Sequence, residues 1–534
     1  MNILGAMQDW EMRTSLLIDH AAREHGGREI VTQWADGSRT RTTWAGVRRD
    51  ALKMVQALRR LGIAPGDRVA TLAMNHGRHL VAWYGATGAG GILHTINPRL
   101  FDDQLDYIAN HAGDRVLIYD AAFQALVDRM RPHWKTIEHY ICFDSGEHAL
   151  HFEDWIGAED GDAEWAQGSE RDPCMLCYTS GTTGHPKGVL FEHRSNMLHT
   201  YAAIMPQCLD LDARAAVLPV VPMFHANNWG FPWAAAAVGA KLVYCANNDA
   251  ATLCRLMHAE GVNYLAGVPT VWLALLQHIE ETGQAMPPLT RALTGGSAMP
   301  RAIIERLMRH GIRVAHAWGM TETSPIATIA FEPADYDDRD LDGQVAVKAL
   351  QGKALFGIEL RTVDLDDPAR VLPRDGKSAG ALQVRGLWVI RRYFKAEQDT
   401  ADTDQWFDTG DVAMLHPDGT LQLTDRTKDV IKSGGEWISS VELENCAVAH
   451  PAVAEAAAIG IPHPKWDERP ILVVVKKPGM DVTVEELRSL LAAGVAKWWL
   501  PDAIEFVDDI PHTGTGKISK KDLRERFGDY RLDV

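Results

Sequence analysis

The chain predicts an α/β fold: a large N-terminal domain of two doubly wound α/β layers with a small β-rich subdomain, followed by a small mobile α+β C-terminal domain. Three observations carry this. Short apolar, β-rich runs alternate with helix-length segments from residue 68 to residue 316, the pattern of parallel strands joined by helices. The texture then turns to short strands and turn residues between 341 and 425. A compact strand–helix unit with a basic tail follows residue 426.

In the first layer, 68–73, 115–119, 139–143 and 175–178 read as strands, with a helix running to about Gly88 after the first. The second layer comprises 216–221, 241–245, 263–266, 291–294 and 313–316, separated by helix-length segments such as 250–260 and 300–310. The stretch 215–240 carries no formal charge and is long enough to cross a bilayer. Pro219, Pro222 and Pro232 remove helix donors, and His225, Asn227 and Asn228 would be costly in lipid. It therefore reads as a buried strand, a turn and an alanine-rich core helix. From 341 to 425, Asp375-Gly376 and Pro417-Asp418-Gly419 mark turns and helices are scarce. Beyond 426, 453–460 and 471–476 read as strands, 484–491 as a helix and 516–526 as a basic tail. The expected organisation is a large domain over 1–425, a boundary at 426–428 and a small domain over 429–534.

The chain has 534 residues, with 54 Lys and Arg against 71 Asp and Glu, a net charge of -17 spread along its length. This excludes a general nucleic-acid binder. Hydrophobic residues at 46% and charged residues at 23% fit an ordinary soluble globular protein. The 7 cysteines sit mostly in apolar runs and read as reduced, buried thiols. Cys174 and Cys177 form a C-x-x-C inside a strand, with no second pair to complete a zinc site. Residues 1–13 carry Asp9 and Glu11 before any long apolar stretch, so a cytoplasmic location is expected, without integral membrane association.

The strongest local signal is Tyr178-Thr179-Ser180-Gly181-Thr182-Thr183-Gly184-His185-Pro186-Lys187-Gly188. Glycines let backbone N–H groups approach oxygens closely, the hydroxyls add donors and the lysine adds positive charge, so the loop suits phosphate. A Walker A loop has glycine directly before its lysine; here Pro186 precedes Lys187, which excludes a P-loop NTPase. The loop resembles the signature of the adenylate-forming superfamily: acyl-CoA synthetases, peptide-synthetase adenylation domains and luciferases. Further motifs follow in that superfamily's order: Pro222-Met223-Phe224-His225, Gly295-Gly296-Ser297-Ala298, Trp318-Gly319-Met320-Thr321-Glu322, Thr409-Gly410-Asp411, Asp425-Arg426, Ile431-Lys432-Ser433-Gly434-Gly435-Glu436 and Gly514-Thr515-Gly516-Lys517. Through 223–229, 316–322, 433–440 and 497–501 the chain is most similar to medium-chain fatty acyl-CoA ligases and 3-methylmercaptopropionate-CoA ligases.

The resemblance implies an ATP-dependent, AMP-forming ligase using ATP, Mg²⁺ and coenzyme A. A carboxylate attacks the α-phosphate to give acyl-AMP, and the CoA thiol then displaces AMP. Both reactants of the first step are anionic, so cations and oriented donors must bring them together. Lys517, His225 and Glu322 match the catalytic residues, with Lys517 bridging carboxylate and α-phosphate. Thr182 and Glu322 match the metal ligands, since magnesium takes few protein oxygens alongside phosphate. Thr179, Ser180, Gly181, Thr182, Thr183, Gly184 and Lys187 match the phosphate loop. Gly296, Ser297, His316, Ala317, Trp318, Gly319 and Thr321 match the adenine pocket, Trp318 standing where tyrosine is common. Asp411 matches the acceptor of both ribose hydroxyls, and Arg426 a ribose or phosphate contact. His225, Trp229, Trp233 and Gly295 are implied walls of the acyl pocket, the two tryptophans being expected as helical neighbours one turn apart. Lys428 matches the hinge, about which the cap would turn to exchange Lys517 for the CoA-binding residues Lys432, Gly434, Gly435, Glu436 and Trp437.

The aromatic yet partly polar pocket implies a short- to medium-chain acid or a 3-methylmercaptopropionate-like thioether acid. Alternatives are a cinnamate-like aryl acid, or an acyl-AMP ligase that loads a carrier protein. Small-molecule substrates and a homodimer complete the expectation.

Overall fold

The computed structural model describes residues 6–144, 148–179, 185–434, 436–512 and 518–532. It divides into two compact units: one formed by 1–293, 319–327 and 387–400, the other by 294–318, 328–386 and 401–534.

The first unit holds two sheets of largely parallel strands. One runs in the order Leu150–His151, His139–Cys142, Asp114–Tyr119, Arg68–Leu72, Ile92–Thr95, Pro173–Thr179 and Lys187–Glu192, parallel except for its last, antiparallel pair. The other orders Arg291–Thr294, Tyr264–Ala266, Ala216–Pro219, Lys241–Cys245, Glu29–Gln33 and Arg39–Thr43, again antiparallel only at the last pair. The central strands are buried along nearly their whole length, which is why they read as unbroken apolar runs. Helix Ala250–Glu260 starts where expected because Asp249 Oδ1 accepts the Thr252 N–H at 2.8 Å, and it ends at Gly261 with φ 63°. The uncharged stretch resolves as strand Ala216–Pro219, a turn over Ala226–Gly230 and helix Phe231–Val238. No helix among the described residues is long and apolar enough to cross a membrane.

In the second unit, strands Ile358–Val363, Gly380–Gly386, Phe407–Leu415 and Leu421–Arg426 form an antiparallel sheet. Helix Leu341–Ala349 precedes it, within a stretch expected to be β-rich. Asp340 accepts the Gly343 N–H at 2.9 Å and caps a segment in which only Val345 and Lys348 are buried, so no apolar stripe marks it as a helix. A further sheet runs Glu436–Ile438, Ile431–Ser433, Asp467–Lys476 and Val453–His463, with Ala503–Phe506 parallel to the third of these. Helices Ser440–Val448 and Val484–Gly494 carry Leu443, Ala447, Leu487 and Leu491 into the core behind it. The four-residue turn 427–430 separates the last strand of the first sheet from the first strand of this one.

Candidate active site

In the first unit, strand Pro173–Thr179 leads into the glycine-rich loop and Lys187–Glu192 returns beside it, pairing Thr179 with Lys187 and Tyr178 with Gly188. Thr179 Oγ1 donates to the Lys187 carbonyl at 3.4 Å. Ser180, Gly181, Thr182, Thr183 and Gly184 lie outside the described residues. Glu322 sits in the short turn Thr321–Thr323 after strand Arg313–Gly319, and it is only 5% exposed. Gly319 is required there: a Cβ would stand 1.9 Å from the Pro325 carbonyl oxygen. The segment 387–400 is laced against this turn. Ile390 N–H donates to the Glu322 carbonyl at 2.8 Å, Trp388 Nε1 to Ile326 O at 3.1 Å, and Phe394 N–H to Gly188 O at 2.8 Å. Tyr393 Oη then donates to Glu322 Oε1 at 2.7 Å. Burial first, and the Glu322 charge second, push the Tyr393 phenol well above its ordinary range, so it stays a donor.

Glu322 supplies the hard carboxylate oxygen that magnesium prefers. No group of three or more His, Cys, Asp or Glu among the described residues could form a protein cage for an ion. A single hard carboxylate oxygen donor of this kind suits an ion held largely by substrate phosphates, so Glu322 fits the implied metal.

His225 follows strand Ala216–Pro219 and opens the turn, its carbonyl accepting the Asn228 N–H at 3.0 Å. Ala226, Asn227, Asn228 and Trp229 have φ of 43°, 56°, 51° and 52°. Trp229 and Trp233 are consequently not neighbours on one helix, as the sequence spacing predicted. A left-handed turn ending at Gly230, φ 81°, breaks the chain direction between them. Four consecutive non-glycine residues in this region are costly, and no local periodicity announces them. Trp229 is 7% exposed, whereas Trp233 is fully buried against Trp83 at 5.5 Å and edge-on to Tyr84 at 5.0 Å.

In the second unit, Trp318, buried near the end of its strand, donates from Nε1 to Asp411 Oδ2 at 2.9 Å. Asp411 and Arg426 are cross-strand partners, and Arg426 Nε lies 3.5 Å from Asp411 Oδ1. The carboxylate thus fixes the indole plane with one oxygen. His316 is 1% exposed, and burial lowers its pKa to about 4. Ala317 is buried beside it, Gly295 is buried, and Gly296, with φ 79°, and Ser297 are exposed.

Lys428 is exposed in the turn 427–430. Lys432 pairs with Trp437 across the hairpin, and its ammonium lies 5.4 Å from the indole centroid. Gly434, φ 63°, donates its N–H to Trp466 O at 2.8 Å, and a Cβ there would meet the Trp466 ring at 2.8 Å. Glu436 lies on the returning strand. Gly435 and Lys517 fall outside the described residues.

Two features carried no sequence signal. Tyr393 lies 71 positions from Glu322, beyond any local pattern. The second is a buried polar cluster around Lys520, which pairs with Glu444 at 2.7 Å and donates to Ser440 Oγ at 2.5 Å; Ser440 N–H and Oγ donate to Asp425 Oδ2 at 2.6 and 2.5 Å. Burial raises the Asp425 and Glu444 carboxyls. It works against the Lys520 ammonium, but Glu444 and Asp425 raise that group on balance. Removing one partner of such a pair strands a buried charge. Lys520→Ala is expected to lower the unfolding free energy by about 3–5 kcal/mol, measured by urea titration.

The AMP-binding enzyme profile matches residues 18–394, and the AMP-binding enzyme C-terminal domain profile matches 442–517. The chain is 46% identical to a 3-methylmercaptopropionyl-CoA ligase of Ruegeria lacuscaerulensis, over 99% of both chains. It is 44% identical to a medium-chain-fatty-acid–CoA ligase of Ectopseudomonas oleovorans, over 99% of this chain and 98% of that one. A crystal structure of an anthranilate-CoA ligase with anthranoyl-AMP superposes with TM-score 0.86 at 24% identity, over 97% and 98% of the two chains. With both profiles matched and likeness running the length of two CoA ligases, the chain belongs to the AMP-binding enzyme family.

Proposed function

We propose that this chain is an ATP-dependent, AMP-forming acyl-CoA ligase that converts a short- to medium-chain carboxylic acid, a fatty acid or a 3-methylmercaptopropionate-like thioether acid, to its CoA thioester. The observation that carries the reading is near-full-length likeness to two ligases acting on acids of this size, joined to intact chemistry at the positions the reaction uses. Magnesium, when bound, neutralises phosphate charge. Glu322, held by Tyr393, and Lys187 orient the triphosphate, and Lys517 brings the carboxylate to the α-phosphate. The phosphate loop 179–184, with Thr182 as second metal ligand, wraps the phosphates. Trp318, fixed by Asp411, takes adenine within the pocket of Gly296, Ser297, His316, Ala317, Gly319 and Thr321. Asp411 and Arg426 take the ribose.

His225, Trp229 and Gly295 are assigned to the acyl chain, and Trp233 to the core beside Trp83 and Tyr84. Turn 426–428 is the hinge between the large domain, 1–425, and the cap, 429–534. Rotation there brings Lys432, Gly434, Gly435, Glu436 and Trp437 to the pantetheine arm. The enzyme is read as a cytoplasmic homodimer.

The test is ATP- and CoA-dependent AMP release with acetate, butyrate, 3-methylmercaptopropionate, octanoate, palmitate, benzoate and cinnamate. The expected optimum lies between butyrate and octanoate, with 3-methylmercaptopropionate among the good substrates. A cinnamate optimum would replace the aliphatic reading with the aryl one. Pyrophosphate release without acyl-CoA for every acid would transfer the reading to carrier-protein loading.

A further inference from the structure

Tyr393 joins two groups of opposite charge in the first unit. Its hydroxyl donates to Glu322 Oε1 at 2.7 Å, and the Lys187 ammonium sits 4.9 Å from its ring centroid. The lysine opens the strand that leaves the phosphate loop, and the glutamate sits in a turn that the same 387–400 segment grips through Ile390. A hydrogen bond to one carboxylate oxygen restrains the rotation of Glu322. The ring face attracts the ammonium, so one side chain touches both the carboxylate and the cation.

We propose that Tyr393 is a positioning residue for adenylation: it orients Glu322 toward magnesium through its hydroxyl and Lys187 toward phosphate through its ring. The inference rests on the reading of Glu322 as the magnesium carboxylate. It separates two functions of one side chain. Tyr393→Phe removes the hydrogen bond and keeps the ring, while Tyr393→Leu removes both.

The experiment is calorimetric titration of the full-length enzyme with ATP, with no carboxylic acid present, once with Mg²⁺ and once with EDTA. Thermal unfolding is followed in parallel. Wild type should bind ATP more tightly with Mg²⁺. Tyr393→Phe should lose about tenfold of that metal-dependent gain, the scale of a hydrogen bond to a charged group, with ATP affinity in EDTA and melting temperature unchanged. Tyr393→Leu should also weaken binding in EDTA, through Lys187. In steady state, Tyr393→Phe should raise KM for MgATP more than it lowers kcat. Glu322→Gln is the control for the underlying reading. If it leaves the Mg²⁺-dependent gain intact, the metal role of Glu322 falls, and the proposal with it. If Glu322→Gln loses the gain while Tyr393→Phe keeps it, the positioning role alone is overturned. A lowered melting temperature with an unchanged gain would make Tyr393 a packing residue and overturn the proposal too.

Discussion

Lys517→Ala is expected to reduce acyl-adenylate formation by roughly 10²–10³-fold, the range seen when one preorganised charge-stabilising donor is removed. Thioester formation from supplied acyl-adenylate should stay within a few-fold of wild type. Lys432→Ala should do the reverse. The asymmetry follows from charge: the first step joins a carboxylate to a triphosphate and depends on an added cation, whereas the second delivers a thiol along a narrow channel. Lys432 lies on a hairpin, against Trp437 and with its backbone N–H bonded to Glu468, so its substitution perturbs the loop that would line that channel. Lys517 is placed by its motif alone. Pre-steady-state pyrophosphate release measures the first half-reaction, and CoA consumption with synthetic acyl-adenylate measures the second. Equal loss of both steps in both variants would rule out an alternating arrangement.

Acidification from pH 7 to pH 5 should destabilise the fold by several kcal/mol. His79, His193 and His199 have pKa values lowered to about 3, and His316 to about 4, burial being the first cause in each. Ring nitrogens of two of them accept backbone N–H groups: His193 Nδ1 from Thr14 at 3.2 Å and His199 Nε2 from Ile326 at 3.1 Å. Protonation there would replace an acceptor by a donor. The unfolded chain takes up these protons near pH 6.5 while the folded one does not. Stability is therefore present above that value and lost as pH falls through it, continuing toward the folded values. Each histidine contributes about 2 kcal/mol between pH 7 and pH 5. The carboxyls of Asp114, Asp425 and Glu444, raised by burial, oppose part of this fall. Urea unfolding across this window should show the slope, and His199→Phe should reduce it by roughly 1.4 kcal/mol per pH unit. A flat profile would mean that these rings are charged or exposed in the folded protein.

Local rules made much of the architecture legible. Strands Lys241–Cys245 and Arg291–Thr294 and helix Ala250–Glu260 fall where their sequence placed them, because buried parallel strands must be apolar throughout and Asp249 and Gly261 are unambiguous stops. Helix Leu341–Ala349 was not legible, since its identity rests on a cap and on tertiary packing rather than on periodicity. The motifs at Lys187, Glu322, Asp411 and Arg426 were read as a set because each keeps its own short spacing. The spacing of Trp229 and Trp233 predicts helical neighbours, and the left-handed turn at 226–230 overrules it, because spacing alone cannot report a reversal of backbone handedness.

The sequence by itself determined the α/β class, the order of the motifs and the charged groups available for joining a carboxylate to ATP. These depend on residue type and on separations of a few positions. Only the tertiary structure decided that Trp318 is aimed by Asp411, that Trp229 and Trp233 part company at a left-handed turn, and that Tyr393 joins Glu322 to Lys187. The Trp318 and Tyr393 contacts span tens to hundreds of positions, and their partners are chosen by how sheets and segments pack, which no local run of residues records.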